Sequence, residues 1–159
     1  MKTLSLALMT MTGAVFAFVG CTNCCISKYT AFEHLNASSV NVSASWTRLG
    51  TGVQSFVKTE ADTKIEVVLN SRLSVGAISG NGVFFEVRVD SIEAKIQTQG
   101  SVLVSSSSEF CPILAVFEGL AKGSHSVGVW AKGANGGSAT DVIVDPGGWG
   151  GGIIVKETR

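Results

Sequence analysis

From Val40 onward the chain alternates. Val40, Val42, Ala44 and Trp46 are separated by Asn41, Ser43 and Ser45, the period of two that puts one face of a strand on a core and the other in water. By that phase Trp46 belongs to the core. The alternation persists and predicts further strands over residues 53–59, 64–70, 73–78, 83–90, 94–98, 102–105, 113–117, 124–132, 139–144 and 152–156. Turn chemistry separates them. Gly80-Asn81-Gly82 and Asn135-Gly136-Gly137 supply positive φ for tight hairpins, and Asp145-Pro146-Gly147-Gly148 stops a strand. The serine run 105–108 reads as a loop. Short strands about ten residues apart, with almost no helical period, predict an all-β domain over 39–159, an antiparallel β-sandwich.

Ahead of that domain the pattern changes. Ile26, Tyr29, Phe32 and Leu35 recur every third position, and Thr30 with Glu33 has capping-box spacing, so 21–38 reads as a Cys-containing linker or short helix. Before it, Met1 and Lys2 lead into an uncharged apolar run over 3–19, diluted by Ser5, Thr10, Thr12 and Gly13. That order predicts a removable signal peptide over 1–20, since a spanning helix wants about 20 more uniformly apolar residues. The expected location is extracytoplasmic, secreted or in the cell envelope. Phe18-Val19-Gly20-Cys21 resembles the lipobox of bacterial lipoproteins. The resemblance implies a lipid on Cys21 that tethers the chain without spanning the membrane; cleavage after Ala17 or Gly20 with no lipid is the alternative.

Composition narrows the function. Of 159 residues only 15% are charged, 12 basic and 12 acidic, and 19 are Gly. A usual soluble domain carries about 25% charged residues. The neutral balance removes the electrostatic basis for nucleic-acid binding and for a polybasic membrane patch. Without residues 1–20, 139 residues remain with 11 basic against 12 acidic side chains, enough chain for a hydrophobic core. Cys21, Cys24, Cys25 and Cys111 suggest disulfide chemistry in an exported protein. With Cys21 lipidated, Cys24 or Cys25 could bridge to Cys111 and leave one odd thiol; with Cys21 unmodified, three pairings are open. Zinc wants four ligands and His34 and His125 are isolated, so no metal or cofactor is expected.

The segment from Leu120 through Gly123, His125, Val127, Val129 and Trp130 to Ala131, with the closing Gly152-Ile153-Ile154-Val155-Lys156-Glu157, resembles the last hairpin of jelly-roll domains. These are the complement-type and tumour-necrosis-factor-like heads that recur in bacterial surface and phage tail proteins. The resemblance implies a jelly-roll sandwich and a homotrimeric binding head.

Candidate catalytic groups do not assemble on the sequence. Ser124-His125-Ser126-Val127-Gly128 lacks the first Gly of the G-x-S-x-G elbow and the helix that must follow it, and His125 reads as a surface turn residue. Asp141 and Asp145 share a strand face, about 13 Å apart if extended, too far for a glycosidase pair. Both read as solvated edge or turn residues. Asn36-Ala37-Ser38 and Asn41-Val42-Ser43 match glycosylation sequons, which matter only in a eukaryotic source. Trp130 falls on the outward phase with Ser126 and Gly128, and Trp149 stands among glycines; together they are the expected contact surface. The expectation is a non-catalytic, self-associating surface protein; the alternative is a monomeric module that binds a glycan or a protein.

Overall fold

The structure is a computed structural model and describes residues 28–33, 35, 38–50, 54–98, 100–102, 108–145, 148 and 151–159. The signal run, Cys21, Cys24, Cys25, His34, Asn36 and Trp149 lie outside the described residues. Fourteen strands are formed within it: β1 (Lys28–Glu33), β2 (Val40–Val42), β3 (Thr47–Arg48), β4 (Gln54–Lys58), β5 (Lys64–Ser74), β6 (Ile78–Ser79), β7 (Val83–Val89), β8 (Ile92–Glu93), β9 (Ile96–Gln97), β10 (Gly100–Val102), β11 (Ser108–Phe117), β12 (Gly123–Gly133), β13 (Ser138–Val144) and β14 (Gly152–Thr158). They make two antiparallel sheets. The first runs β1-β14-β5-β11-β9, with β13 also pairing β5, β2 and β6. The second runs β10-β7-β12-β3, with β4 also on β12 and β8 on β7.

The sheets pack through their inward positions. Ile65, Val67, Leu69 and Leu73 of β5, with Ile113, Ala115 and Ile153 beside them, meet Val83, Phe85, Val87 and Val89 of β7 and Val127, Val129 and Ala131 of β12; each is at most 1% exposed. This is the sandwich that strict alternation predicts, with the inward aliphatic residues of the central strands forming its core. Truncating one of them removes transfer energy and leaves a cavity, about 2–5 kcal/mol for Leu→Ala.

Several local expectations are corrected. The segment read as a linker or short helix contains strand β1, in register with β14 from Lys28 opposite Glu157 to Glu33 opposite Gly152. Four apolar residues at period three, two of them within the strand, are too few to impose a helix, and an edge partner for β14 satisfies the backbone of both segments. Phe32 packs against the core on the inward side. The expected break between 64–70 and 73–78 is not there: β5 runs unbroken over Lys64–Ser74, residues 75–77 leave the strand, and Ile78 begins β6. The polar Ser71 interrupts the hydrophobic pattern but not the strand, because its side chain is fully buried in phase with Leu69 and Leu73 and its hydroxyl donates to the Arg72 carbonyl at 3.1 Å. The expected loop at 105–108 gives way at its last residue, since Ser108 opens β11 opposite Ser74.

Trp46 is not a core residue. Strand β2 stops at Val42, the chain bends at Ala44 and Ser45, and Trp46 enters β3 half-buried. The bend breaks the phase that the sequence carries through it. A second turn escaped the pattern altogether. Asp90 and Ser91 hold φ of 50° and 67° between Val89 and Ile92, which face each other in the β7–β8 pair. This is the two-residue hairpin whose backbone twist matches right-twisted strands, made without glycine.

Candidate functional site

Four polar or exposed regions stand out against the core, and the simplest is the joint between the two sheets. Lys58 ends β4 in the second sheet and is fully buried. Its Nζ donates to the carbonyls of Glu60 and Ala61, the latter at 2.9 Å. From the first sheet, the buried Glu157 carboxylate accepts from the backbone N–H groups of Thr59 at 3.0 Å and Glu60 at 2.8 Å and from the hydroxyls of Thr59 at 2.8 Å and Thr63 at 2.6 Å. Burial pushes this carboxyl up, and the Thr63, Thr59 and Glu60 donors overcome it, holding it down at about 2. A cation serves the loop's carbonyls and an anion its N–H groups, so the turn from one sheet to the other is closed by charge-assisted bonds.

The second region is a clasp at one end of β12. His125 Nδ1 donates to Asp90 Oδ2 at 2.6 Å and Nε2 to the Ala121 carbonyl at 2.8 Å. The other Asp90 oxygen accepts from the Ser126 N–H at 2.7 Å and hydroxyl at 3.0 Å. Both ring nitrogens face acceptors, which only the imidazolium satisfies. Burial lowers the His125 pKa, and the bonds to Asp90 and Ala121 outweigh it, so the net direction is upward. Burial likewise works against Asp90, whose bonds to Ser126 and His125 still hold it below its ordinary value. His125 is therefore no surface turn residue: it lies in β12 with its ring tilted against Phe56, centroids 5.6 Å apart. Ser126 bonds the carboxylate and His125 Nε2 bonds a carbonyl, so the three side chains tie the Asp90–Ser91 turn to β12 and do not form a hydroxyl-activating relay.

The third region is the outer face of the first sheet. Leu114 stands opposite Val68, Val68 opposite Ile154, and Ile154 opposite Ala31. Leu114 is 47% and Ile154 44% exposed. Ile96 and Phe110, on the same β9–β11 side, are 66% and 58% exposed, and Ile96 faces Val116. Of the adjoining charges, Lys64 and Lys95 share Glu118, the former at 2.8 Å, and Lys156 pairs with Glu66 at 3.6 Å. Bonds from Lys64 and then Lys95 take the Glu118 carboxyl down to about 2.

The fourth is the outer face of the second sheet. Trp130 of β12 lies between Arg48 of β3 and Glu86 of β7. The Arg88 guanidinium sits over both indoles, 4.9 Å from the centroid of Trp130 and 5.4 Å from that of Trp46, and Lys132 Nζ lies 4.6 Å from Trp46. Arg88 also binds Glu86, and Glu93 at 2.9 Å; Glu86 is 4% exposed, and its burial pushes the carboxyl pKa up against the pull of Arg88. Gly128 occupies the outward position opposite Arg88. The Arg48 guanidinium covers it, with Nε and Nη2 3.0 and 3.3 Å from where a Cβ would stand. Arg48 Nη2 is buried and has no hydrogen-bond partner among the described residues, a state that costs about 1–3 kcal/mol.

Of the expected surface pair, Trp149 lies outside the described residues, and the structure places Trp130 beside Trp46 and Arg88. Trp130 is outward and half-buried as its phase predicts. Arg88 and Glu86 also fall on the outward phase of β7, a signal readable in the sequence; their meeting with Trp46 is not. Cys111 lies half-buried in β11 opposite Ser71, packed against the core side. Of the two carboxylates weighed for acid–base work, Asp141 is exposed, whereas Asp145 is 1% exposed and accepts from the Gly151 N–H at 3.1 Å. Asp145 is therefore a buried turn residue and not a solvated one.

No protein-family model matches the chain, and no curated protein matches it.

Proposed function

We propose that this is an exported, non-catalytic surface subunit that associates with copies of itself through the outer face of its first sheet. The observation that carries the reading is the row Leu114–Val68–Ile154–Ala31, which crosses four paired strands on the face that alternation would normally make polar. Three strand spacings make the row about 14 Å wide, and Ile96, Val116 and Phe110 extend the apolar band along β9 and β11. Monomers seldom leave so continuous an apolar band in water. A second copy is the occupant that the charges favour. The carboxylates Glu118 and Glu66 beside the row are already taken by lysines of the chain, the formal net charge is zero, and a two-fold axis brings such a row onto itself.

The engagement of both His125 nitrogens by acceptors supports the non-catalytic part of the reading. Export and a lipid on Cys21 rest on the order Lys2, apolar run, Gly20-Cys21; the jelly-roll head and its trimer rest on the resemblance of the last hairpin. Light scattering tests the association. The protein should have a mass of two or more chains, and Leu114→Glu should reduce it to one chain without changing its circular dichroism. A single-chain mass for the unaltered protein at high concentration would sink the reading. Mass spectrometry of the mature N-terminus tests the rest: an intact Met1 refutes export, and an unmodified Cys21 refutes the lipid.

A further inference from the structure

The outer face of the second sheet holds more positive charge than its own partners use. Arg88 and Lys132 lie there on Trp46 and Trp130, Arg48 is paired opposite Trp130, and the carboxylates among them are Glu86 and Glu93. Arg88 takes both carboxylates. Lys132 lies on Trp46. Arg48 is left with a buried guanidinium nitrogen that has no acceptor among the described residues. A purely structural stack of indoles and guanidinium groups would not need that third cation, and its unmet donor makes the stack less stable. The guanidinium is held in place by the absence of a side chain at Gly128, since a Cβ there would stand 3.0 Å from Arg48 Nε. The backbone of Gly128 is not in the left-handed region, so its small size serves the arginine and not a turn.

We propose that this face is a binding site for an acidic sugar, a pyranose ring carrying a carboxylate. The half-buried indole of Trp130 offers the apolar edge or face on which the C–H side of a sugar ring stacks. Arg48 supplies the planar donor that a carboxylate accepts, in the geometry lysine cannot reproduce. The cationic excess selects an acidic sugar over a neutral one. A nucleic acid is disfavoured because the chain as a whole carries no basic excess. The site lies on the sheet opposite the apolar row, so it does not depend on self-association.

The test is a titration of the purified protein with trigalacturonate, followed by tryptophan fluorescence, beside the same oligomer with its carboxyls methyl-esterified. A saturable change is expected with the acid, and binding of the ester should be at least tenfold weaker. Arg48→Gln should weaken the acid at least tenfold while leaving the thermal midpoint unchanged or raised, because it removes an unpartnered donor. Trp130→Phe should weaken both ligands by a similar factor. Leu114→Glu should leave the titration unchanged, so failure of the association reading and failure of this one are separable. Absence of a saturable change with the acid overturns the proposal. So does equal binding of acid and ester, or full binding by Arg48→Gln. A loss of several degrees in the thermal midpoint of Arg48→Gln also overturns it, since that would make the arginine a structural member of the stack.

Discussion

The two outward faces of this sandwich obey the same alternation and end as opposites. On β5, β11 and β14 the outward positions of the central row carry Val68, Leu114 and Ile154, so these strands are apolar on both sides over part of their length. On β7 and β12 the outward positions carry Glu86, Arg88, Gly128, Trp130 and Lys132, and the face is charged and aromatic. The difference teaches that alternation specifies which residues face out but not what that face is for. A surplus of hydrophobicity on the first sheet favours removal from water, which is non-directional. A surplus of donors and indoles on the second favours an oriented, charged partner.

The largest effect should break the first half of the contrast. Leu114→Glu combined with Ile154→Glu puts like charges into the apolar row, and association measured by sedimentation should weaken about 100-fold, near 2.7 kcal/mol. The double variant should keep its thermal midpoint, because neither side chain is in the core. Next comes a control on what both faces share. Glu157→Gln leaves several buried donors short of an acceptor at the joint between the sheets and should cost about 2 kcal/mol in urea unfolding. It should change neither association nor ligand binding at temperatures where the variant is folded. If it alters one face only, the faces are not independent.

Salt sharpens the comparison with a smaller effect. Raising ionic strength from 0.05 to 0.5 M should weaken acidic-sugar binding by about threefold to tenfold and leave association unchanged or tighter, since screening acts on charge and not on apolar burial. The smallest effect is on pH. His125 is raised above its ordinary 6.5, so its contribution is complete below about that pH and is lost as pH rises through the folded value. Asp90 and Glu157 are lowered, so their contributions are present above the ordinary carboxyl values of 3.8 and 4.5 and are lost on acidification, for Glu157 toward about 2. The urea midpoint should therefore be highest between these limits. His125→Asn should flatten the alkaline decline and leave the part of the acid limb that Glu157 carries, while the part from Asp90, which His125 helps to lower, shrinks.

Much of the fold was legible because the inward positions of β7 and β12 repeat at period two with Val, Phe and Ala, and a one-residue slip would expose all of them. Where the pattern misled, a local exception was carried by a partner distant in sequence. Ser71 reads as a strand break, yet stays in β5 because β11 pairs it through Cys111 and β14 pairs β5 up to the preceding Asn70. The segment around Tyr29 and Phe32 has helical spacing, and becomes a strand because β14, more than a hundred residues later, offers an open edge. Trp46 keeps the apolar phase of Val40 and Val42 only if the chain stays straight, and it bends at Ala44 and Ser45.

The sequence by itself determined the β class, the inward residues of each long strand and the outward placement of Trp130. Each of these depends on neighbours within a few residues, where side-chain period and backbone sterics decide. The glycine turns at 80–82 and 135–137, by contrast, expected as hairpins, join strands of different sheets. The tertiary structure alone decided which strands lie side by side. That choice lined up Leu114, Val68 and Ile154 into one row, set Arg88 against two indoles, and joined Asp90 to His125 and Glu157 to the loop at Thr59. Strand register is a property of pairs of segments far apart in the chain, set by how the whole apolar set buries at once, and no window of the sequence contains it.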